Sequence, residues 1–225
     1  MPIRVNALAV MAKAPVAGTV KTRLVPPLTP EQAAEFYRAL LLDQFDHLIN
    51  FAGADRYVFY VPADAEMILR DLGGADYAYL AQRGDDLGTR MAQVFADLWH
   101  LGHRNIVLIG SDLPALPLAI LDEAFTQLAR AARRAVFGPS RDGGYYLVGM
   151  NDPTPEIFEN MTWSHGSVLA QTLAKLKALN VEVYQLPPWF DVDTRADLTA
   201  LGRLDPAARA RIKLTLTFLR RLGEF

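Results

Sequence analysis

Cysteine is absent from this chain, which excludes disulfides, thiolate catalysis and Cys-bound zinc. The absence fits a reducing compartment, and a cytoplasmic location is expected. An excess of one charge is also missing: 23 Lys and Arg face 25 Asp and Glu, so nothing points to nucleic acid or a membrane surface as the main partner. No apolar stretch approaches the length of a membrane span. Met1 to Asn6 carries one positive residue, but the apolar run behind it is interrupted at Lys13 and no small-residue cleavage site follows. The amino terminus therefore reads as a strand, not a signal peptide. Two phosphate-binding patterns are absent as well. Gly18 is not adjacent to Lys21, so there is no Walker A loop, and no G-x-G-x-x-G follows the first apolar run. Pro/Ser/Gly-rich linkers, low-complexity tracts and repeats are lacking, so 225 residues read as a single domain, 1–225. At that length a core can bury roughly 70% of the unfolded chain's surface. No heptad or exposed apolar stripe is identifiable, which leaves the oligomeric state open.

What is present is an alternation of strand and helix signals. Leu8 to Ala12 is an apolar run. Thr29-Pro30-Glu31 opens a helix to about Asn50, with Phe36, Leu40, Phe45 and Leu48 among its buried positions. Arg56–Val61, Tyr77–Leu80, Asn105–Ile109, Ala135–Gly138, Tyr145–Met150 and Val181–Leu186 have strand composition. Helices are expected over Asp64–Leu72, Leu87–Leu101, Leu118–Arg130, Ser167–Leu179 and Ala196–Leu201, and a last one from Asp205 to about Leu222. This pattern predicts an α/β fold with a mainly parallel sheet covered on both faces. Ligands of such sheets sit beyond the carboxyl ends of the strands.

The polar loops leaving those ends carry the candidate chemistry. A-P-V-A-G-T-V-K-T-R-L, Ala14 to Leu24, follows the first strand. Gly18 lets backbone approach a ligand, Lys21 adds a point charge and Arg23 a planar fork of donors. The loop reads either as a diphosphate or triphosphate cradle or as a basic surface turn. Asp112 ends the apolar strand N-I-V-L-I, where a carboxylate can bind a hard cation or cap the next helix. Asp191 and Asp193 in D-V-D share a face if extended, or cap the following helix with Thr194. Asp142-Gly143-Gly144 is either a plain hairpin turn or an acceptor region in which Asp142 orients a hydroxyl or acts as base. His165 either contacts substrate or is an exposed loop residue. Tyr145 and Tyr146 read as sheet packing, and the basic residues of the last helix (Arg209, Arg211, Lys213, Arg220, Arg221) as a solvated face. As a set, Asp112 and Asp193 on a metal with Lys21 and Arg23 on phosphates would spread the charge of a leaving diphosphate.

The segments M-A-K-A-P-V-A-G-T-V-K-T-R-L, D-L-G-T-R-M, G-S-D-L-P-A-L, G-P-S-R-D-G-G-Y-Y-L-V-G-M and D-V-D-T-R-A-D-L resemble a bacterial family of glycosyltransferase-A-like proteins associated with radical-SAM or arsenosugar biosynthesis genes. The chain is similar, more loosely, to phospholactate guanylyltransferases and molybdenum-cofactor nucleotidyltransferases. The resemblance runs over nearly the whole chain in order. It implies a three-layer α/β/α nucleotide-diphospho-sugar transferase fold with a mixed, mostly parallel sheet. It also implies nucleotide binding by Gly18, Lys21, Thr22 and Arg23, with further contacts near Asp86, Gly88 and Arg90. Mg²⁺ or Mn²⁺ would be bound by Asp112 and Asp193, and the acceptor region would comprise Asp142, Gly143, Gly144 and His165. Lys21 and Asp142 are the expected catalytic residues. One departure is that Ser111-Asp112 stands where many metal-dependent glycosyltransferases carry a D-x-D triplet. The expected activity is glycosyl transfer from a nucleotide-sugar to a small-molecule acceptor. The alternatives are nucleotidyl transfer, which releases pyrophosphate, and a non-catalytic nucleotide-binding protein.

Overall fold

The structure, a computed structural model, describes residues 3–163 and 165–223. Met1 and Pro2 of the amino-terminal segment, Ser164 of the loop W-S-H-G and the last two residues lie outside the described residues. Among the described residues, seven strands form one sheet: β1 (Asn6–Lys13), β2 (Asp55–Val61), β3 (Ala78–Ala81), β4 (Asn105–Gly110), β5 (Arg134–Pro139), β6 (Tyr145–Met150) and β7 (Glu182–Gln185). Their spatial order is β3-β2-β1-β4-β6-β5-β7. Only β6 runs antiparallel to its neighbours β4 and β5; the other pairings are parallel. The sheet is mostly parallel, as the sequence pattern predicts, and mixed, as the family resemblance implies.

Alternation along the strands divides the core in two. Leu8, Val10 and Ala12 of β1 face one layer with Val58, Val107 and Ile109. That layer is covered by α1 (Pro30–Leu48), α2 (Glu66–Gly73) and α4 (Leu118–Leu128). Ala7 and Ala9 face the other with Phe59, Ile106 and Leu108, beneath α3 (Leu87–His100) and α5 (Val168–Ala178). Burial on both faces is why the strands read as continuous apolar runs instead of alternating ones. The result is the three-layer α/β/α arrangement. The ends of α1 follow from its sequence: Thr29 and Gln32 make a reciprocal capping box, with Pro30 at the first helical position.

The carboxyl-terminal segment departs from the expected single helix. It forms α6 (Arg195–Leu201), α7 (Pro206–Ala210) and α8 (Lys213–Arg221), so the expected helix from Asp205 is broken at Arg211–Ile212. The cause lies on α1: Asp43, 6% exposed, accepts from the backbone N–H groups of Leu214 and Thr215 at 3.0 and 2.8 Å. A buried carboxylate that satisfies the first donors of a new helix fixes its start. Phe36 and Leu40 of α1 then pack against Leu198, Leu216 and Leu219 in a third cluster. The basic face is also less uniform than expected: Arg211 Nη1 donates to Ala115 O at 3.3 Å, and Arg221 pairs with Glu35.

Candidate functional site

From β1 the chain builds outward through β2 and β3 on one side and through β4 on the other. The strand order therefore reverses between β1 and β4, and the crevice at their carboxyl ends is where ligands bind in open α/β sheets. The loop after β1 lies on one side of it. Ala14 N donates to Val61 O at 2.8 Å, and Val20, 4% exposed, anchors the far end in the core. Lys21 then adopts a left-handed backbone, φ 47° and ψ 37°, which is uncommon for a non-glycine residue and often marks function. Its side chain is 4% exposed, with Nζ 2.9 Å from Asp112 Oδ2 and 3.0 Å from Asp193 Oδ1. Burial alone would lower the pKa of this amine. The two carboxylates outweigh that effect and hold it above the ordinary lysine range.

The acidic side of the cluster comes from two segments. Asp112 follows β4, and its carbonyl accepts from Val192 N at 3.3 Å, which ties the β4 loop to the D-V-D segment. Asp112 does not cap the next helix, since α4 begins at Leu118 behind Pro117 at the N-cap position, with no side-chain cap. Asp193 is not a cap either. Thr194 caps α6 reciprocally with Asp197, which leaves the Asp193 carboxylate to Lys21 and to Arg23 Nη1 at 3.2 Å. Asp191 completes the group: carboxylate oxygens of Asp112, Asp191 and Asp193 lie within 4.8 Å of one another. Burial first, and then repulsion from Asp112 and Asp193, pushes the Asp191 carboxyl up to about 6. Three half-buried carboxylates at this spacing are an all-oxygen donor set of the kind hard divalent cations prefer.

Two cavities adjoin the cluster. The first, about 400 Å³, runs over the sheet edge between Met11, Val20, Leu108 and Leu147 and reaches Lys21 and Gln82. The second, about 580 Å³, is lined by Arg23, Asp142, Trp163, His165 and Asp191. Lys13, Arg90, Asp112, Tyr145 and Asp193 border both. The structure thus brings Lys21, Arg23, Arg90, Asp112, Asp142 and Asp193 together, with Asp86, Gly144 and His165 on the second cavity's wall. Gly18, with φ +78°, and Thr22 lie in the first loop but line neither cavity. Gly88 also lies off both: a Cβ there would sit 2.6 Å from Phe158 O and 2.9 Å from Trp163 Cζ2, so this glycine seats the Trp163 ring. Asp86 caps α3 by accepting from Thr89 N at 2.8 Å, a hydrogen bond that holds its carboxyl below the usual range.

Asp142 belongs to the turn joining β5 and β6, so the hairpin is real and it also faces the cavity. Gly143, at φ +85°, would place a Cβ 2.1 Å from Gly166 O, which fixes that turn against the segment before α5. His165 Nδ1 accepts from Ser167 N at 3.2 Å. Tyr146 is core, 5% exposed, and Tyr145 packs edge-on to Phe137; both also border the two cavities. Two placements go beyond the expected site. Asp191 is named in the sequence as part of the acidic D-V-D segment, but the expected metal pair is Asp112 and Asp193 without it. Gln82 Nε2 donates to Phe59 O at 2.8 Å and Ala12 O at 3.3 Å, a placement that no local motif signals.

Residues 44–165 match the model of the family described as an uncharacterized protein conserved in bacteria (DUF2064), and the chain belongs to that family. A crystal structure of a protein from Desulfovibrio desulfuricans G20, provisionally assigned as a nucleotide-diphospho-sugar transferase, superposes with a TM-score of 0.86 at 31% identity, over 97% of this chain and 98% of that one. A cytidylyltransferase from Leptospira borgpetersenii superposes with a TM-score of 0.58 at 12% identity, over 98% and 95%. CMP:2-keto-3-deoxy-manno-octonic acid synthetase complexed with CTP gives 0.56 at 12%, over 88% and 97%. The last two share the fold alone. No curated protein matches the chain, and the matches do not extend to the radical-SAM or arsenosugar association. Among the described residues, no helix is long and apolar enough to cross a membrane.

Proposed function

We propose that this chain is a Mg²⁺- or Mn²⁺-dependent transferase that moves a glycosyl group from a nucleotide-sugar to a small-molecule acceptor. The observation that carries the reading is the cluster at the strand-order reversal, where a buried lysine, an arginine and three carboxylates meet beside two cavities. The 31% identical relative with its provisional assignment supports it. Asp112 and Asp193, with Asp191 as a third donor, fit a hard cation by number and chemistry. When bound, such an ion would neutralise the diphosphate and stabilise the charge of the leaving group. Lys21 compensates those carboxylates and stands within reach of the diphosphate they would hold, while Arg23 and Arg90 add donors from the second cavity's wall. Gly18 and Thr22 would shape the phosphate loop, and Asp86 and Gly88 the turn opposite it. The apolar first cavity suits a nucleobase. There Gln82 spends both amide protons on backbone carbonyls, leaving its oxygen to accept from a base N–H. Asp142, with Gly143, Gly144 and His165, would position the acceptor hydroxyl. The reading treats 1–225 as one domain working in the cytoplasm without nucleic acid or membrane.

A second reading, nucleotidyl transfer, is favoured by one feature: the loop after the central strand β4 carries Ser111-Asp112 where many metal-dependent glycosyltransferases have their D-x-D triplet, and the other two carboxylates come from a separate segment near the carboxyl end of the chain. Product analysis separates the two. The protein is incubated with NDP-sugars or with NTPs and sugar phosphates, each with Mg²⁺ or Mn²⁺. Release of NDP supports glycosyl transfer, and release of pyrophosphate supports nucleotidyl transfer. Metal-independent nucleotide binding without turnover would contradict both. Asp112→Asn and Asp193→Asn should each abolish the metal-dependent thermal shift with nucleotide.

A further inference from the structure

We infer that the second cavity selects an acceptor that is a neutral or cationic polyhydroxylated compound and rejects phosphorylated or carboxylated ones. The inference rests on the glycosyl-transfer reading above and adds the chemical class of the acceptor. Beyond the metal group, the wall of this cavity carries the Asp85, Asp86 and Asp142 carboxylates. Each cation facing it already has a partner or a place on the donor side. Arg23 pairs with Asp193 at 3.2 Å, Arg90 Nε donates to Gly84 O at 2.9 Å, and Lys13 and Arg90 also border the donor cavity. His165 Nδ1 is engaged by Ser167. The carboxylates on this wall outnumber its cations, Lys13, Arg23 and Arg90, by six to three, so an acceptor phosphate would meet a net negative surface, and like charges built against a ligand act as a filter.

Two further features give the cavity the character of a sugar site. Asp142 Oδ1 accepts from Ser140 Oγ and from Gly144 N at 3.1 Å, while Oδ2 makes no hydrogen bond to a described residue and lies open to accept from a hydroxyl. Hydrogen bonds from Ser140 and Gly144 and the nearby Arg23 outweigh burial and hold this carboxyl below its ordinary value, so it stays ionised. In the same cavity, half-buried Trp163 offers an apolar ring seated on Gly88, a surface suited to the C–H face of a sugar ring. In the transfer, the acceptor oxygen bonds to the anomeric carbon as the bond to the nucleoside diphosphate breaks. NDP leaves with the electron pair, and the hydroxyl proton passes by way of Asp142 to solvent.

Saturation-transfer NMR on the full chain with Mg²⁺, with and without ADP, CDP, GDP and UDP, tests this using glucose, glucosamine, glucose 6-phosphate and glucuronate as probes. Glucose and glucosamine should bind at least tenfold more tightly than the two anions. Asp85→Lys, an exposed change on the wall of this cavity, should reduce that preference about tenfold, the size of effect one added charge pair produces at a partly screened site. The inference is overturned if glucose 6-phosphate or glucuronate binds as tightly as glucose, if none of the four binds, or if Asp85→Lys leaves the ratio unmoved. Failure of the donor reading shows separately, as absence of any nucleotide-induced thermal shift.

Discussion

Replacing Lys21 by Met keeps the length and apolar stem of the side chain and removes its charge. It leaves three carboxylates within 4.8 Å of one another without their buried counter-ion. Deleting one partner of a buried ion pair costs about 3–5 kcal/mol. The Asp112 and Asp193 side chains are 33% and 34% exposed, so water screens part of the loss, and about 1–3 kcal/mol is the better expectation. At roughly 2–4 °C per kcal/mol for a domain of this size, Tm should fall by roughly 2–12 °C in EDTA. Because the amine's pKa is raised by folding, its contribution is fully present below the ordinary value of 10.5 and is lost as pH climbs through the raised value. A melt at pH 7.5 therefore reads the whole effect. Mg²⁺ should behave oppositely in the two proteins' favour: in the wild type it must share the carboxylates with Lys21, whereas in Lys21→Met it finds them uncompensated. The metal-induced rise in Tm should be larger for the variant. Differential scanning fluorimetry across a Mg²⁺ and Mn²⁺ series measures both quantities. Equal metal shifts in the two proteins, or no loss of Tm in EDTA, would refute the reasoning.

Three further outcomes are expected. Asp43→Ala removes the acceptor for two backbone donors at the start of α8 and should cost about 1–2 kcal/mol in urea denaturation, with Asp43→Asn recovering part of it. Burial holds the His47 pKa below its ordinary 6.5, with the Leu116 carbonyl bond only partly opposing it. The unfolded chain then binds that proton more readily, so His47's contribution is present above 6.5 and lost as pH falls through the lowered value. His47→Gln should show a smaller loss of Tm than wild type between pH 7 and pH 5. Gly143→Ala forces both a left-handed alanine and a clash with Gly166 O. It should weaken acceptor-dependent turnover at least tenfold while nucleotide thermal shifts persist, since the donor side of the cluster does not touch that turn.

Much of the fold was legible because strands buried on both faces write themselves as unbroken apolar runs. N-I-V-L-I is fully buried from Ile106 to Ile109, and the strand–helix alternation dictates a covered parallel sheet. The break between α7 and α8 was not legible, since its cause is Asp43, 171 residues away from Leu214. Among the candidate site residues, Lys21 and Asp112 could be proposed from their places after apolar strands. Their contact could not, because an ion pair 91 residues apart depends on β1 and β4 being neighbours in the sheet. The sequence reading puts Asp112 and Asp193 on a metal and Lys21 and Arg23 on phosphates; that Lys21 also touches both carboxylates directly is not visible in it. Gly88 shows the converse: the family resemblance implies nucleotide contact there, and its burial under Trp163 appears only when the 155–163 segment is folded over α3.

Anomalous diffraction from crystals grown with Mn²⁺ and a nucleoside diphosphate addresses the assembly at the β1–β4 crevice most directly. A manganese peak coordinated by Asp112 and Asp193, with the diphosphate against Lys21 and Arg23, is the predicted result. Manganese bound elsewhere, or phosphates on another face of the sheet, would contradict it.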